Sequence, residues 1–502
     1  GDVYKRQVVV EEAPAPLVGG PPERPSHAPG TPGAALLAAS PQHFDLRQPY
    51  FIGQRRLPAP GPDTTPPQRW QWQEPPERRL QRTPLYGVHR ALGAKMVPFA
   101  GWEMPAWYSS VGEEHRAVRE AAALFDVAHM GLLEVAGPHA TTFLDAVCTN
   151  SIAWLEDGQS CYGYLLDPDG AVIDDIMVYR LGAERYLVVV NAANEAKDWD
   201  WLTQVNAGQV VIDRERPWVR VEAAAELHNL KDPAAGPRQL RDLALQGPAA
   251  LPTLQALAGD QEGRAALARL RRTELMSCEL AGVPLVVART GYTGEEWGFE
   301  LFAHPDHLAR LWNALLEAGA CHGVRPAGLA ARDSTRIEAG LPLYGHELAG
   351  PFAVSPVEAG FAGYVKFHKP FFVGRSALLA CEAQRQGGGA QRREVVRFRV
   401  DEKGVRRPQR GDVVANKKGQ RIGHVTSCSI NSEGQLVGMA LVDARHTAPG
   451  TPLAVFPLGG EPLEDVLARS QAQPEARLPL PVSATVLPRF LGRARAGRQG
   501  EE

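Results

Sequence analysis

Between Thr83 and about residue 345, stretches with apolar residues every three to four positions alternate with stretches where they are near-continuous or recur every second position. Ser110 followed by Glu113 forms a capping box, which predicts a helix with Ala117, Val118, Ala121 and Ala122 on one face. Pro138 leads a second helix, whose Ala140, Phe143, Leu144 and Val147 form a stripe for burial. A third stripe, Leu308, Leu311, Trp312 and Leu315, lies between Pro305 and Gly319. The segments GLLEVAG, CYGYLL, AVIDDIMVYRL, RYLVVVNA and VPLVVART between these helices predict strands, with DPDG (Asp167 to Gly170) as a hairpin turn. Helices mixed with antiparallel strands predict an α+β body.

The flanks read differently. Sixteen of the 42 prolines precede residue 84, many beside Gly, Ala or Arg, and such sequence buries too little apolar area to offset its ordering entropy. Residues 1–82 are therefore expected to be a Pro-rich extension, disordered to about residue 40. From His43 to Trp72 the aromatics Phe44, Tyr50, Phe51, Trp70 and Trp72 suit either an arm draped over the body or a tail with scattered rings. The body is expected over 83–383, followed by the polar connector QRQGGGAQRRE. Beyond it EVVRFRV, GHVTSCSI, VGMALVD and LAVFPL, bounded by Gly, Asn and Pro, predict a separate β domain over 393–490. No repeat of 20 to 50 residues is visible.

The chain has 502 residues, too many for one compact core. A formal charge of −3 gives no bulk reason to expect nucleic acid or an anionic membrane as partner. Six dispersed cysteines without a C-x-x-C pair argue against a disulfide framework or thiolate zinc site and fit a reducing cytoplasm. No apolar run approaches the roughly 18 residues of a membrane span. The opening GDVYKRQ has neither signal-peptide nor transit-peptide character, and a truncated or imperfect start of the reading frame is expected.

Dinucleotide, P-loop and paired His/Cys metal signatures are absent, so no metal is expected. His129 in FDVAHMG reads as a satisfied core histidine rather than a catalytic one. VIDDIMVY places two carboxylates in an apolar strand. Asp174 shares a face with Val172, Ile176 and Val178, and Asp175 with Ile173, Met177 and Tyr179. Each acid must find hydrogen bonds or a ligand, and tying up the nearby DPDG turn is the bland alternative to a functional role. RTGYTGEEWGFEL reads as a close-approach loop bringing Glu300 near aromatic faces, suited to a flat heterocycle, or as an aromatic-rich hairpin. In RPAGLAARDSTRIEAGLPLYGHEL a helix carries Arg332 and Arg336 on one face. Asp333 offsets Arg336, which leaves Arg332 for an anionic or carbonyl partner or for solvent.

The segments PLYGVHRALGAKMVPFAGWEMPAWY, FDVAHMG, CYGYLLDPDGAVIDDIMVY, VVVNAAN, ALQGPAA, RTGYTGEEWGFEL and RPAGLAARDSTRIEAGLPLYG together closely resemble, in order and spacing, the aminomethyltransferases (T-proteins) of the glycine cleavage system. The resemblance runs from about Thr83 to Leu480. It implies a three-lobed fold with a folate-binding body, a ferredoxin-like part and a C-terminal β-barrel. It also implies transfer of an aminomethyl carbon from the lipoyl arm of H-protein to tetrahydrofolate, releasing ammonia and forming 5,10-methylenetetrahydrofolate. The family's essential carboxylate matches Asp175, which handles a proton near folate N10. Glu300 matches the glutamate that accepts from the pterin edge, Tyr292 and Tyr162 match aromatics lining the channel, and Arg332 matches the arginine of the family's A-R-D segment. Trp297 is an extra residue relative to the family pattern, Arg271 and Arg272 replace an aromatic, and Ala128 stands where Ser is usual.

Sarcosine and dimethylglycine dehydrogenases carry the same module behind a flavin domain, which about 80 Pro-rich residues cannot supply. A folate-dependent demethylase with an O- or S-methyl donor is the nearest enzymatic alternative. A non-catalytic folate-binding module is the alternative from another class; it predicts loss of the acidic pair and a Cys-containing signature, whereas Asp174 and Asp175 are present and VKFHKPFFVGR has no Cys.

Overall fold

The computed structural model describes residues 67–75, 79–221, 223–386, 392–459 and 480–490. These all fall within one compact unit, Ile52–Glu502. The expected disorder to residue 40, the arm between His43 and residue 66 and the Gly-rich centre of the connector lie outside them.

Where the Pro-rich extension is described it lies against folded structure: Gln68 bridges to Val210, and Trp70 packs on Trp201 with ring centroids 4.9 Å apart and donates to Asp200 at 2.8 Å. A small sheet follows, in which β1 (Gln81–Arg82) and β2 (Lys95–Phe99) flank β3 (Trp102–Trp107), with α1 (Tyr86–Ala91) between the first two in sequence. The serine half of the capping box is formed: Ser110 Oγ accepts from Glu113 N at 3.3 Å and opens α2 (Val111–Glu120), which leads to β4 (Ala123–Asp126). Ala121 and Ala122 fall just beyond that helix, because the chain turns into the strand.

The body is a duplication. Its first half runs β5 (Gly131–Ala136), α3 (Ala140–Val147), β6 (Ser160–Leu166), β7 (Val172–Gly182), β8 (Arg185–Val190), α4 (Glu195–Asn206) and β9 (Glu226–Asn229). Its strands are ordered β6-β7-β8-β5-β9. The second half runs β10 (Arg241–Gln246), α5 (Ala250–Leu257), α6 (Gln261–Arg269), β11 (Leu275–Leu280), β12 (Val283–Ala288), β13 (Gly298–Ala303), α7 (Pro305–Gly319) and β14 (Arg325–Ala327). It repeats that order as β11-β12-β13-β10-β14, with β4 inserted before the last strand. The period, near 110 residues, is longer than the range searched in the sequence, and what persists is Gly137-Pro138 against Gly247-Pro248 and a following stripe in which Ala140 and Leu144 match Ala250 and Leu254.

Gly247 has φ +133°, and a Cβ there would meet Ala121 O and Val118 O at 2.6 Å, whereas one at Gly137 (φ +91°) has its nearest foreign atom at 3.6 Å. Both glycines need a backbone that L-residues rarely adopt, at about 1–3 kcal/mol of strain each. Gly247→Ala is expected to add the backbone overlap to that cost and destabilise more than Gly137→Ala. Denaturant melts of the two variants test this, and equal losses contradict it.

The two large sheets meet face to face through Leu132, Tyr179, Leu187 and Val189 of the first and Leu275, Ala288 and Phe302 of the second. On its other face the second sheet is covered by α5 and α7, whose Leu308, Leu311, Trp312 and Leu315 stripe is buried as its spacing predicts. After α8 (Leu329–Ala339) and α9 (Arg375–Gln386), six strands close a barrel. They are β15 (Arg393–Val400), β16 (Val413–Ala415), β17 (Arg421–Ile430), β18 (Leu436–Asp443), β19 (Pro452–Phe456) and β20 (Val482–Leu487), in the order β15-β18-β17-β16-β19-β20. Tyr164 and Leu166 of β6, Ile337 of α8 and Val395, Val437 and Met439 of the barrel share one core, so the barrel abuts the edge of the first sheet. This is the α+β architecture with a C-terminal β-barrel that the sequence predicts. Among the described residues no helix is long and apolar enough to cross a membrane.

Candidate active site

Strand β7 organises the site through its alternation. Its register with β6 is continuous from Asp174 to Tyr179, so Asp174, Ile176 and Val178 share one face and Asp175, Met177 and Tyr179 the other. Met177 and Tyr179 belong to the core between the two sheets, which puts Asp175 on the inter-sheet side. Asp174 is fully buried on the opposite side, where it accepts from Asn191 N and Asn191 Nδ2 at 2.9 Å and from Asn194 Nδ2 at 2.5 Å. Asp175 Oδ2 accepts from the Tyr162 hydroxyl at 2.9 Å and Oδ1 from Asn191 Nδ2 at 2.9 Å. Burial, and then the charge of Asp174, push the Asp175 carboxyl up to about 7. The turn-tying alternative is excluded, because Asp167 closes its own turn by accepting from Asp169 N and Ala171 N at 2.9 Å.

At the far end of the same strand face, Tyr179 donates to Glu300 Oε2 at 2.5 Å, and Thr290 donates to the same oxygen. Four strand residues span about 13 Å, so β7 itself sets the separation between Asp175 and the Glu300 anchor. Among the described residues Oε1 of Glu300 receives no donor, so a ligand meets one open oxygen rather than two. Tyr292 donates to Pro342 O at 2.5 Å, and the Arg332 guanidinium lies 4.8 Å from its ring centroid. Burial pushes the Tyr292 phenol up, and the charges of Arg336, Asp175 and Arg332 act on it, which puts this ring near the Asp175 end of the site. Tyr162 packs edge-on to Tyr164 and Tyr364 with centroids 5.2 and 5.0 Å away. All five residues singled out in the sequence are thus brought to one region.

One reading needs correction and one open alternative is decided. His129 is not a satisfied core histidine: it is buried, but Nδ1 has no hydrogen-bond partner among the described residues. Burial, followed by the positive charge of Arg332, pushes it down to about 3 and keeps it neutral. Of the alternatives left open for the two arginines, a solvated face does not hold for Arg336, whereas its pairing with Asp333 does. Arg336 is 1% exposed and donates to Asp333 at 2.8 Å, Glu347 at 2.5 Å and Ser427 of the barrel at 2.8 Å. Arg332, by contrast, has no carboxylate partner among the described residues. Sequence reasoning missed Tyr179, Thr290, Asn191 and Asn194 as parts of the site. Tyr179 was signalled by sharing parity with Asp175, and the two asparagines by their place at the end of a strand running into a helix.

Residues 85–369 match the family described as the GCVT N-terminal domain. An aminomethyltransferase of Symbiobacterium thermophilum is 44% identical over 383 residues, covering 75% of this chain and 93% of that protein. One from Moorella thermoacetica is 41% identical over 372 residues, covering 74% and 92%. The crystal structure of glycine cleavage system aminomethyltransferase T from Bartonella henselae superposes with a TM-score of 0.64 at 29% identity, over 82% of this chain and 97% of that one. The chain belongs to the aminomethyltransferase family.

Proposed function

We propose that this chain transfers the aminomethyl carbon from the lipoyl arm of H-protein to tetrahydrofolate, with Asp175 as the catalytic residue and Glu300, Arg332, Tyr292 and Tyr162 holding the folate. The observation that carries this reading is the β7 face, which presents a carboxyl titrating near neutrality at one end and a pre-anchored carboxylate at the other. The open Glu300 oxygen and the unpaired Arg332 beside an aromatic face suit a flat heterocycle with an N–H edge and a carbonyl.

In the net reaction the S–CH2 and CH2–NH2 bonds of the aminomethylated dihydrolipoyl group break, N5 and N10 of tetrahydrofolate each lose a proton and form a bond to that carbon, and the two protons leave on the free thiol and on ammonia. Ionised Asp175 accepts the proton released as the C–N bonds form, and Tyr162 and Asn191 hold its two oxygens in place. Production of 5,10-methylenetetrahydrofolate from aminomethylated H-protein and tetrahydrofolate tests the reading. Activity only with an O- or S-methyl donor would assign a demethylase, and folate binding without turnover a binding module. The free thiols of all six cysteines support a cytoplasmic location. We also propose that residues 83–383 and 393–490 are the folate-binding body and the barrel domain, behind the Pro-rich extension 1–82.

Glu300→Gln is expected to weaken tetrahydrofolate binding. The side-chain amide places a donor where Tyr179, Thr290 and the pterin edge also donate, and a lost charge-assisted hydrogen bond of about 1.5–3 kcal/mol is roughly 10- to 150-fold in Kd. Titration calorimetry checks this, and unchanged affinity would move the pterin contact elsewhere.

A further inference from the structure

Helix α4 begins directly after Asn194, and one turn into it Asp198 donates its amide N–H to Asn194 O at 2.8 Å. The Asp198 side chain is completely buried, and neither of its oxygens receives a donor N–H or O–H among the described residues. The group it faces is the carboxyl of Asp174: the two acids act on each other, and Asn194, one turn before Asp198 on the same helix, reaches that same carboxyl. Two carboxyl groups share a hydrogen bond only if one keeps its proton. Asp174 is surrounded by three amide donors that favour its anion, so the proton resides on Asp198.

We propose that Asp198 is a positioning residue for the transfer: as the neutral acid it donates to Asp174, and Asp174 holds the Asn191 amide that orients Asp175. This rests on the reading of Asp175 given above. The connection is continuous, because Asn191 Nδ2 donates to Asp174 Oδ1 and Asp175 Oδ1, both at 2.9 Å. Burial pushes Asp198 well above the ordinary carboxylate range, and the charge of Asp174 acts in the same direction. Lys197 on the same helix opposes them, but its ammonium donates to the Tyr344 hydroxyl at 2.9 Å. The other titratable groups facing the two acids of β7 are Tyr162 and Tyr164 of β6 and Tyr292 from across the sheets, all phenols held neutral by burial. The proton on Asp198 thus leaves a single negative charge on Asp174, and that charge helps to hold Asp175 near neutrality.

The test uses the full chain with Asp198→Leu and Asp198→Asn. Without that donor one of the contacts favouring the Asp174 anion is lost, so the burial that already raises this carboxyl draws it toward the neutral form and weakens the charge beside Asp175. Asp198→Leu is therefore expected to move the acid limb of the kcat profile down by about one pH unit and to lower kcat about 10-fold, because a less basic carboxylate is a poorer proton acceptor. KM for tetrahydrofolate should change less than about threefold, since no Asp198 atom reaches the inter-sheet face. Asp198→Asn keeps a donor toward Asp174 and should rescue most of the rate and return the acid limb to its original position. A folded Asp198→Leu protein with an unshifted profile, or an Asp198→Asn protein as impaired as Asp198→Leu, overturns the proposal. A readout without turnover covers failure of the leucine variant to fold. At about pH 9, where Asp175 is ionised, the infrared difference spectrum between the wild type and Asp198→Asn should show loss of a protonated carboxyl C=O band. Loss of a carboxylate band instead also overturns the proposal. If Asp175→Asn retains full turnover, the reading of Asp175 fails, while the infrared result still decides where the proton resides.

Discussion

Asp175→Asn is expected to lower turnover by about 10²- to 10⁴-fold at saturating tetrahydrofolate and carrier protein, the usual range for a lost acid–base group. The substitution keeps the volume, its oxygen can still accept from Asn191, and its amide can donate to the Tyr162 hydroxyl, which takes either role, so folding and folate affinity should largely survive. In the wild type the carboxyl is raised to about 7 by burial and by Asp174, so below that pH it is a neutral acid and cannot accept a proton. The rate of the wild type should therefore fall as pH drops through about 7, and the variant should lose this limb along with its rate. Asp174→Asn is the control. Asp174 accepts from three amides, so an amide in its place sets donor against donor in a sealed environment and should cost about 1–3 kcal/mol of stability, with the smaller effect on rate. If Asp174→Asn abolishes turnover and Asp175→Asn leaves it intact, the roles within the pair are reversed.

What the sequence makes legible here is local, and what it hides is non-local. The stripe Leu308, Leu311, Trp312 and Leu315 needs only one helix to define its face, and each of these residues is buried. The parity of VIDDIMVY separates Asp174 from Asp175 for the same reason, since a strand without a bulge between them turns its side chains to opposite faces. By contrast, Tyr179 and Glu300 lie 121 residues apart and meet only because two half-bodies stack sheet on sheet. Nothing near either residue announces that packing. The duplication is equally hidden, because a Gly-Pro step and part of one helical stripe are what carry it over a period of about 110 residues. In the sequence Arg336 has only Asp333, three residues before it, as a partner, and it becomes a core residue only when the barrel brings Ser427 against it.

That burial makes Arg336→Met the substitution with the largest expected loss of stability, about 3–5 kcal/mol, as for removal of one partner from a buried pair. The guanidinium links three segments: Asp333 of its own helix, Glu347 in the segment after it, and Ser427 of β17 in the barrel. Glu347 is completely buried, and burial alone would raise its carboxyl, yet the Arg336 charge holds it below the ordinary range. Methionine fills much of the same space but leaves that carboxylate without its counter-charge. The cost is therefore uncompensated charge rather than lost packing, and the double variant Arg336→Met/Glu347→Leu should recover most of the stability lost in the single one. The acid dependence follows from the direction of the shift. A carboxyl depressed in the folded state stabilises above its unfolded value, near pH 4.3, and that contribution is lost as pH falls through the lower folded value. The double variant should then unfold with a shallower dependence on acid than the wild type. Denaturant melts of the wild type, the single and the double variant across this range decide the matter. A single variant that loses less than about 1 kcal/mol, or a double variant no better than the single one, would show that the barrel is held to α8 by apolar contacts of Ile337 and Met439 rather than by this ion pair.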